Sequence, residues 1–235
     1  IGADELTHDI LTVLLQHRAD ATLELDDDGR IVREVATYLQ GGTHTSGQVI
    51  VNAADLLFEV LPERPDILDR VADDLSFAQR VVHETLRLRP TTPRIRRRAA
   101  ADTVVAGRSI PKDSLVILDQ VRANQEPALF GEHPERFDPD RTVQPDVPRW
   151  GHAFGAGAHI CPGRTVGGGF PLSAGEQPDA DHLYGLVALM LQGVMRRGVR
   201  PLPGRPQERD TRTERFTRWA HYWVGIGSPR AAIAG

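Results

Sequence analysis

Phe154-Gly155-Ala156-Gly157-Ala158-His159-Ile160-Cys161-Pro162-Gly163 decides the reading of this 235-residue chain, because it holds the one cysteine. Gly155 and Gly157 permit backbone angles and close approaches that a side chain would forbid. Pro162 suits the first position of a helix, which puts Cys161 at or next to a helix N-terminus. Unpaired amides and the positive end of the helix dipole favour thiolate over thiol there. A thiolate on a glycine-rich turn, beside Phe154 and His159, is a good ligand for a soft metal. One cysteine cannot by itself hold zinc or an iron–sulfur cluster, so such a metal takes most of its ligands from elsewhere, and a porphyrin supplies four. Read alone, a lone cysteine in a tight turn is also a free buried thiol.

Working outward, Gly167-Gly168-Gly169-Phe170-Pro171 opposes helix, so a helix begun at the cysteine stops after about one turn. The pattern at 181–197 is then its displaced continuation, with 167–180 as an inserted loop, and 219–224 reads as a strand. On the amino-terminal side, residues 124–163 form a long loop rich in Pro and Gly. Residues 103–107 and 114–118 look like short strands flanking the turn at 110–113. Helical periodicity marks 6–16, 31–60, 65–75 and 76–88, with a turn at 26–29 and stops at Pro62 and Pro90. Inside 31–60, Gly41-Gly42-Thr43-His44-Thr45-Ser46 interrupts an apolar face and predicts a locally weak helix. Helices first and small sheets afterwards predict an α+β fold, mainly helical. The parts are a helical 1–90, small strands and the cysteine loop over 91–163, and the inserted loop, final helix and terminal strand over 164–235, all one domain.

A net charge of -4 argues against a nucleic-acid binder working by bulk electrostatics. The single cysteine excludes an intramolecular disulfide and predicts a reducing, cytoplasmic setting. No apolar run reaches bilayer-spanning length, so no membrane span is expected. The chain opens on Ile1 and passes directly into helical pattern, as part of a longer protein would. Arg94, Arg96, Arg97 and Arg98 form a basic cluster suited to carboxylates or phosphates, or simply a solvated face.

The spacing Phe-x-x-Gly-x-His-x-Cys-x-Gly resembles the iron-ligand loop of the cytochrome P-450 family, the haem-thiolate monooxygenases. The resemblance extends along most of the chain. Glu84-Thr85-Leu86-Arg87 looks like the family's Glu-x-x-Arg pair, which spacing alone makes an ordinary helical ion pair. The segment 133–141 resembles the one that sends a second arginine, here Arg136, to that glutamate as a structural triad. The stretch 97–102 looks like the place where an arginine meets a haem propionate, which selects Arg97, with Arg96 and Arg98 as neighbours. His159 is similar to a residue aimed at the other propionate. Gly42, His44 and Thr45 fall in what resembles the oxygen-activating motif, where Thr45 would bond iron-bound oxygen and order proton-delivering waters. A mid-helix threonine bonding its own backbone is the alternative.

Two departures stand out. His44 takes the acidic position, as in some members including bacterial sterol demethylases, and could relay protons. The triple glycine breaks the helix that the ligand begins. The resemblance implies a cytochrome P-450-like fold lacking its amino-terminal helices and strands. It further implies haem b held by Cys161, Phe154, Gly155, Pro162 and Gly163 with the propionate partners, in a soluble bacterial enzyme. The activity implied is monooxygenation of a small apolar organic substrate by dioxygen, with electrons from a ferredoxin or flavin reductase. A peroxide-dependent peroxygenase, or a truncated relative without activity of its own, are the alternatives.

Overall fold

The computed structural model describes residues 9–20, 22–25, 27–144, 146–172, 176–212 and 218–227. Residues 6–8 of the first predicted helix and Asp26 of the predicted turn lie outside the described residues. The chain divides into two compact units, 1–45 and 46–235.

In the first unit, α1 (Ile10–Gln16) is capped by Asp9, whose side chain accepts from Thr12 N–H at 2.9 Å. The long helix α2 (Asp28–Val60) supplies residues to both units. It starts inside the predicted turn, because the Asp27 carboxylate accepts from Gly29 N–H and feeds the chain into helix. The predicted weak point at 41–46 is unbroken helix. Thr43 Oγ1 donates to Leu39 O at 2.7 Å and Thr45 Oγ1 donates to Gly41 O. Gly41 and Gly42 meet open space, so nothing wedges the ladder apart. The glycines lower propensity without opening a turn.

In the second unit, apolar residues at helical spacing build one core. Ala53 and Leu57 of α2 meet Val71 of α3 (Ile67–Asp73), Phe77 and Val81 of α4 (Leu75–Leu88), and Leu191 of α8 (Leu186–Arg196). Asp74 caps α4 by accepting from Phe77 N–H at 2.9 Å, which starts the helix one residue before the serine that opens the predicted one. The final helix begins at Leu186 instead of 181. No helix among the described residues is long and apolar enough to cross a membrane.

Among the described residues the strands form four antiparallel two-stranded ladders, and this revises the predicted pairing. The arginine run is itself a strand, β1 (Arg94–Arg98), paired with β4 (Leu115–Asp119). Between them, β2 (Thr103–Val105) and β3 (Arg108–Ile110) make a hairpin. Ala106 (φ 48°) and Gly107 (φ 77°) are its two turn residues, so the strand predicted over 103–107 ends at Val105. A short helix, α5 (Gln120–Ala123), ends just before the predicted loop, and a second, α6 (Pro127–Phe130), lies inside it. At the tail, the predicted strand is two. β5 (Val199–Pro201) pairs with β8 (Val224–Ile226), and β6 (Glu208–Arg209) with β7 (Trp219–His221). Gln207 forces the split: its side chain accepts from Trp223 N–H at 2.6 Å and donates to Trp223 O at 2.8 Å, taking a ladder partner's place.

Candidate functional site: the cysteine loop and the helix behind it

The loop is closed by two main-chain bonds, Cys161 N–H to Phe154 O and Gly155 N–H to His152 O, each 2.8 Å. Gly155 (φ 74°) and Gly157 (φ 71°) both adopt left-handed backbone that a side chain would resist. Gly157–His159 is a 3-10 turn, and Cys161 is half-buried while Pro162 and His159 are exposed. The helix that follows, α7 (Arg164–Gly168), is capped at Gly163. Pro162 is therefore not its first residue, and the thiol lies a short turn ahead of it. Pro162 and Gly163 make that turn, bringing Arg164 N–H to Cys161 O at 3.4 Å.

On β1, side chains alternate, and Ile95 approaches Gly155 so that a Cβ there would lie 3.7 Å from Ile95 Cδ1. Arg97 stands on the same face as Ile95, whereas Arg96 and Arg98 point to the other. Gly42 and His44 are exposed on α2, and Thr45 is half-buried. These three belong to the first unit.

Glu84 and Arg87 form a buried bidentate pair, with Arg87 Nη2 2.6 Å and Nε 2.8 Å from the carboxylate oxygens. The second guanidinium on Glu84 is Arg141, whose Nε lies 3.3 Å from Oε1. Arg136 contributes only its carbonyl, accepting from Arg141 and Arg87. The predicted third member is thus replaced. Arg136 is exposed, and the chain turns over 138–140 to bring Arg141 inward, with Asp138 N–H on Glu84. Arg87 Nη1 also donates to Asn124 O at 2.7 Å and Pro134 O at 2.6 Å. Asn124 passes the link on: it donates to Arg87 O at 3.0 Å and accepts from His152 N–H at 2.7 Å. Gly151 (φ 60°) sits so close that a Cβ would lie 2.3 Å from Asn124 Oδ1. The network therefore ties α4 to the start of the cysteine loop.

A second connection escaped the sequence reading. α7 ends at Gly169 (φ 73°), the chain leaves, and it returns at Gly185 (φ 85°) against the same point. A Cβ on Gly169 would lie 2.2 Å from Leu183 O, and one on Gly185 2.5 Å from Gly169 N. Phe170 N–H donates to Leu183 O at 2.8 Å, closing the excursion at its neck. Gln79 and His83, both buried on α4, face this neck. Gln79 Nε2 lies 2.9 to 3.3 Å from the carbonyls of Gly168, Phe170, Leu183 and Tyr184. His83 Nε2 lies 2.7 Å from Gly168 O. Burial lowers the pKa of His83 to about 4, so its ring is neutral. Polar residues on an otherwise apolar helix face were the available signal for both.

As for a bound group, the donor set is a single soft thiol. Among the described residues no cluster of three or more His, Cys, Asp or Glu could hold a metal ion. A lone thiol on this glycine-rich turn fits a soft metal that would bring most of its ligands with it.

The family model described as Cytochrome P450 matches residues 57–168. Over 186 residues the chain is 30% identical to cyclooctat-9-en-7-ol 5-monooxygenase of Streptomyces melanosporofaciens, covering 70% of this chain and 39% of that protein. Over 184 residues it is 30% identical to methyltetrahydroprotoberberine 14-monooxygenase of Papaver somniferum, covering 69% and 35%. The crystal structure of Mycobacterium smegmatis CYP164A2 with econazole bound matches with a TM-score of 0.67 at 23% identity. That likeness of fold covers 94% of this chain and 48% of the other. The chain thus spans well under half the length of these curated relatives.

Proposed function

This chain belongs to the cytochrome P450 family, and we propose that it carries the haem site of a haem-thiolate monooxygenase, in which Cys161 would hold the iron. Its described residues build part of that family's fold, helices with small sheets. One observation carries the reading: the turn closed by Cys161 N–H on Phe154 O at 2.8 Å, which holds a lone thiol on a glycine-rich loop.

Haem, taken as haem b, supplies the activation of dioxygen when bound. Cys161 provides the thiolate, and the loop glycines Gly155 and Gly163 leave room beside it. Arg97 and His159 would hold the propionates by charge and hydrogen bonding, and the shared face of Ile95 and Arg97 supports that choice of arginine. Phe154 and Pro162 shape the loop around the sulfur. Thr45 holds a proton at Oγ1, and His44, with Gly42 beside it, relays one from solvent. Electrons come from a ferredoxin or flavin reductase, and the substrate is a small apolar organic molecule. The relative named for monooxygenation of cyclooctat-9-en-7-ol supports that substrate class.

The test is the absorption spectrum of the purified chain given haem and reduced, with and without carbon monoxide. A strongly red-shifted Soret band, absent in Cys161→Ala, is expected. A band typical of histidine-ligated or free haem, or no uptake, overturns the proposal. It would favour a relative that no longer builds the site, a reading that rests on the helix break at Gly169.

A further inference from the structure

A helix beginning near the ligand normally secures the residues behind it through its own hydrogen-bond ladder. Here α7 has five residues, so its last carbonyls lack the donors that a further turn would supply. Gly168 O is one of these carbonyls, and His83 reaches it from α4 at 2.7 Å. A carbonyl only accepts, so Nε2 carries the proton and Nδ1 is bare. Nδ1 is buried and has no hydrogen-bond partner among the described residues, so the ring's hydrogen bonding rests on Nε2 and Gly168 O.

The contact belongs to a closed circle. The His83 ring meets Trp150 edge-on, centroids 4.9 Å apart. Trp150 meets Phe154 edge-on at 5.2 Å. The Phe154 ring lies over Gly168, where a Cβ would approach it to 3.1 Å. Gly168 returns to His83. Phe154 is also the residue whose carbonyl takes the Cys161 N–H. Moving His83 therefore releases the loop on two sides at once: the end of α7, and the aromatic pair behind Phe154.

We infer that His83 is a positioning residue for Cys161, fixing the cysteine loop from behind through Gly168 O and through Trp150 and Phe154. The inference rests on the reading of Cys161 as the haem ligand. Its role is the one that outer-shell partners of metal ligands perform, here acting on the ligand's backbone. The neutral ring suits the task, since burial disfavours the charged imidazolium here.

Cys161 is the chain's one cysteine, so thiol labelling of the haem-free chain reports on this loop alone. The comparison is between wild type, His83→Leu, His83→Gln and Leu68→Ala, at a temperature well below unfolding for all four. Leu68 is a buried core residue of α3 that makes none of the circle's contacts, and serves as a control of lowered stability. Expected is labelling about tenfold faster in His83→Leu, close to wild type in His83→Gln, which keeps a donor for Gly168 O, and unchanged in Leu68→Ala. In the haem-loaded chain, His83→Leu should shift part of the carbon monoxide complex away from the thiolate band. Equal labelling in His83→Leu and wild type, or equal acceleration in Leu68→Ala, overturns the inference. Failure of the haem reading shows separately, as absence of the red-shifted band in wild type itself.

Discussion

Arg141 Nε lies 3.3 Å from Glu84 Oε1, and the same guanidinium donates to Phe130 O, His133 O and Arg136 O. One side chain thus adds a second guanidinium to a buried carboxylate and gathers the carbonyl that ends α6 and two carbonyls of the loop after it. Removing it leaves Glu84 with Arg87 as its one guanidinium partner and takes the side-chain donor from Phe130 O. We expect Arg141→Leu to cost about 3 kcal/mol or more in chemical denaturation, and Arg136→Ala to stay within about 0.5 kcal/mol. A larger loss in Arg136→Ala than in Arg141→Leu would contradict this assignment.

The three adjacent glycines are not equivalent. Gly167 meets open space, so Gly167→Ala should be neutral or stabilise by up to about 1 kcal/mol through helix propensity. A Cβ at Gly168 presses on Phe154 at 3.1 Å and on Trp150 at 3.5 Å, and should cost about 1–2 kcal/mol. Gly169 combines left-handed backbone with main-chain atoms of 183–184 closer than 2.5 Å to a Cβ, so Gly169→Ala should cost about 3 kcal/mol or more. Urea midpoints of the three variants rank them directly.

His83 gives stability a pH dependence of known sign. Its folded pKa is lowered by burial from 6.5 to about 4, so between those values the unfolded chain binds a proton that the folded chain refuses. Above pH 6.5 both states are neutral and the group exerts no effect. As pH falls towards 4, it removes about 3 kcal/mol of stability. Unfolding free energy measured from pH 7 to 4 should therefore fall less steeply in His83→Gln than in wild type. Parallel curves would mean that His83 is not buried as a neutral ring.

Much of this was legible because the signals are local. Apolar spacing located α4 to within a residue of each end, and Gly and Pro marked the cysteine loop and the break after it. Four consecutive-looking arginines hid a strand, since a ladder of exposed charged residues carries no apolar alternation; only pairing with β4 makes it one. The glycines at 41–42 suggested an opened turn, yet Thr43 and Thr45 bond the preceding turn's carbonyls and the helix runs through. Local propensity sets a cost there, and the rest of the helix outweighs it.

By itself, the sequence determined where helices run, where the lone thiol sits and which buried pair, Glu84 and Arg87, shares a helix face. Each of these depends on residues within a turn or two of one another. The tertiary structure decided which arginine reaches Glu84 across 57 residues and which α4 side chain reaches Gly168 across 85. It also decided that the excursion from Gly169 closes on Gly185. Those outcomes turn on main-chain carbonyls and amides, which every residue carries alike. Only the folded path of the chain selects which of them come within hydrogen-bonding distance.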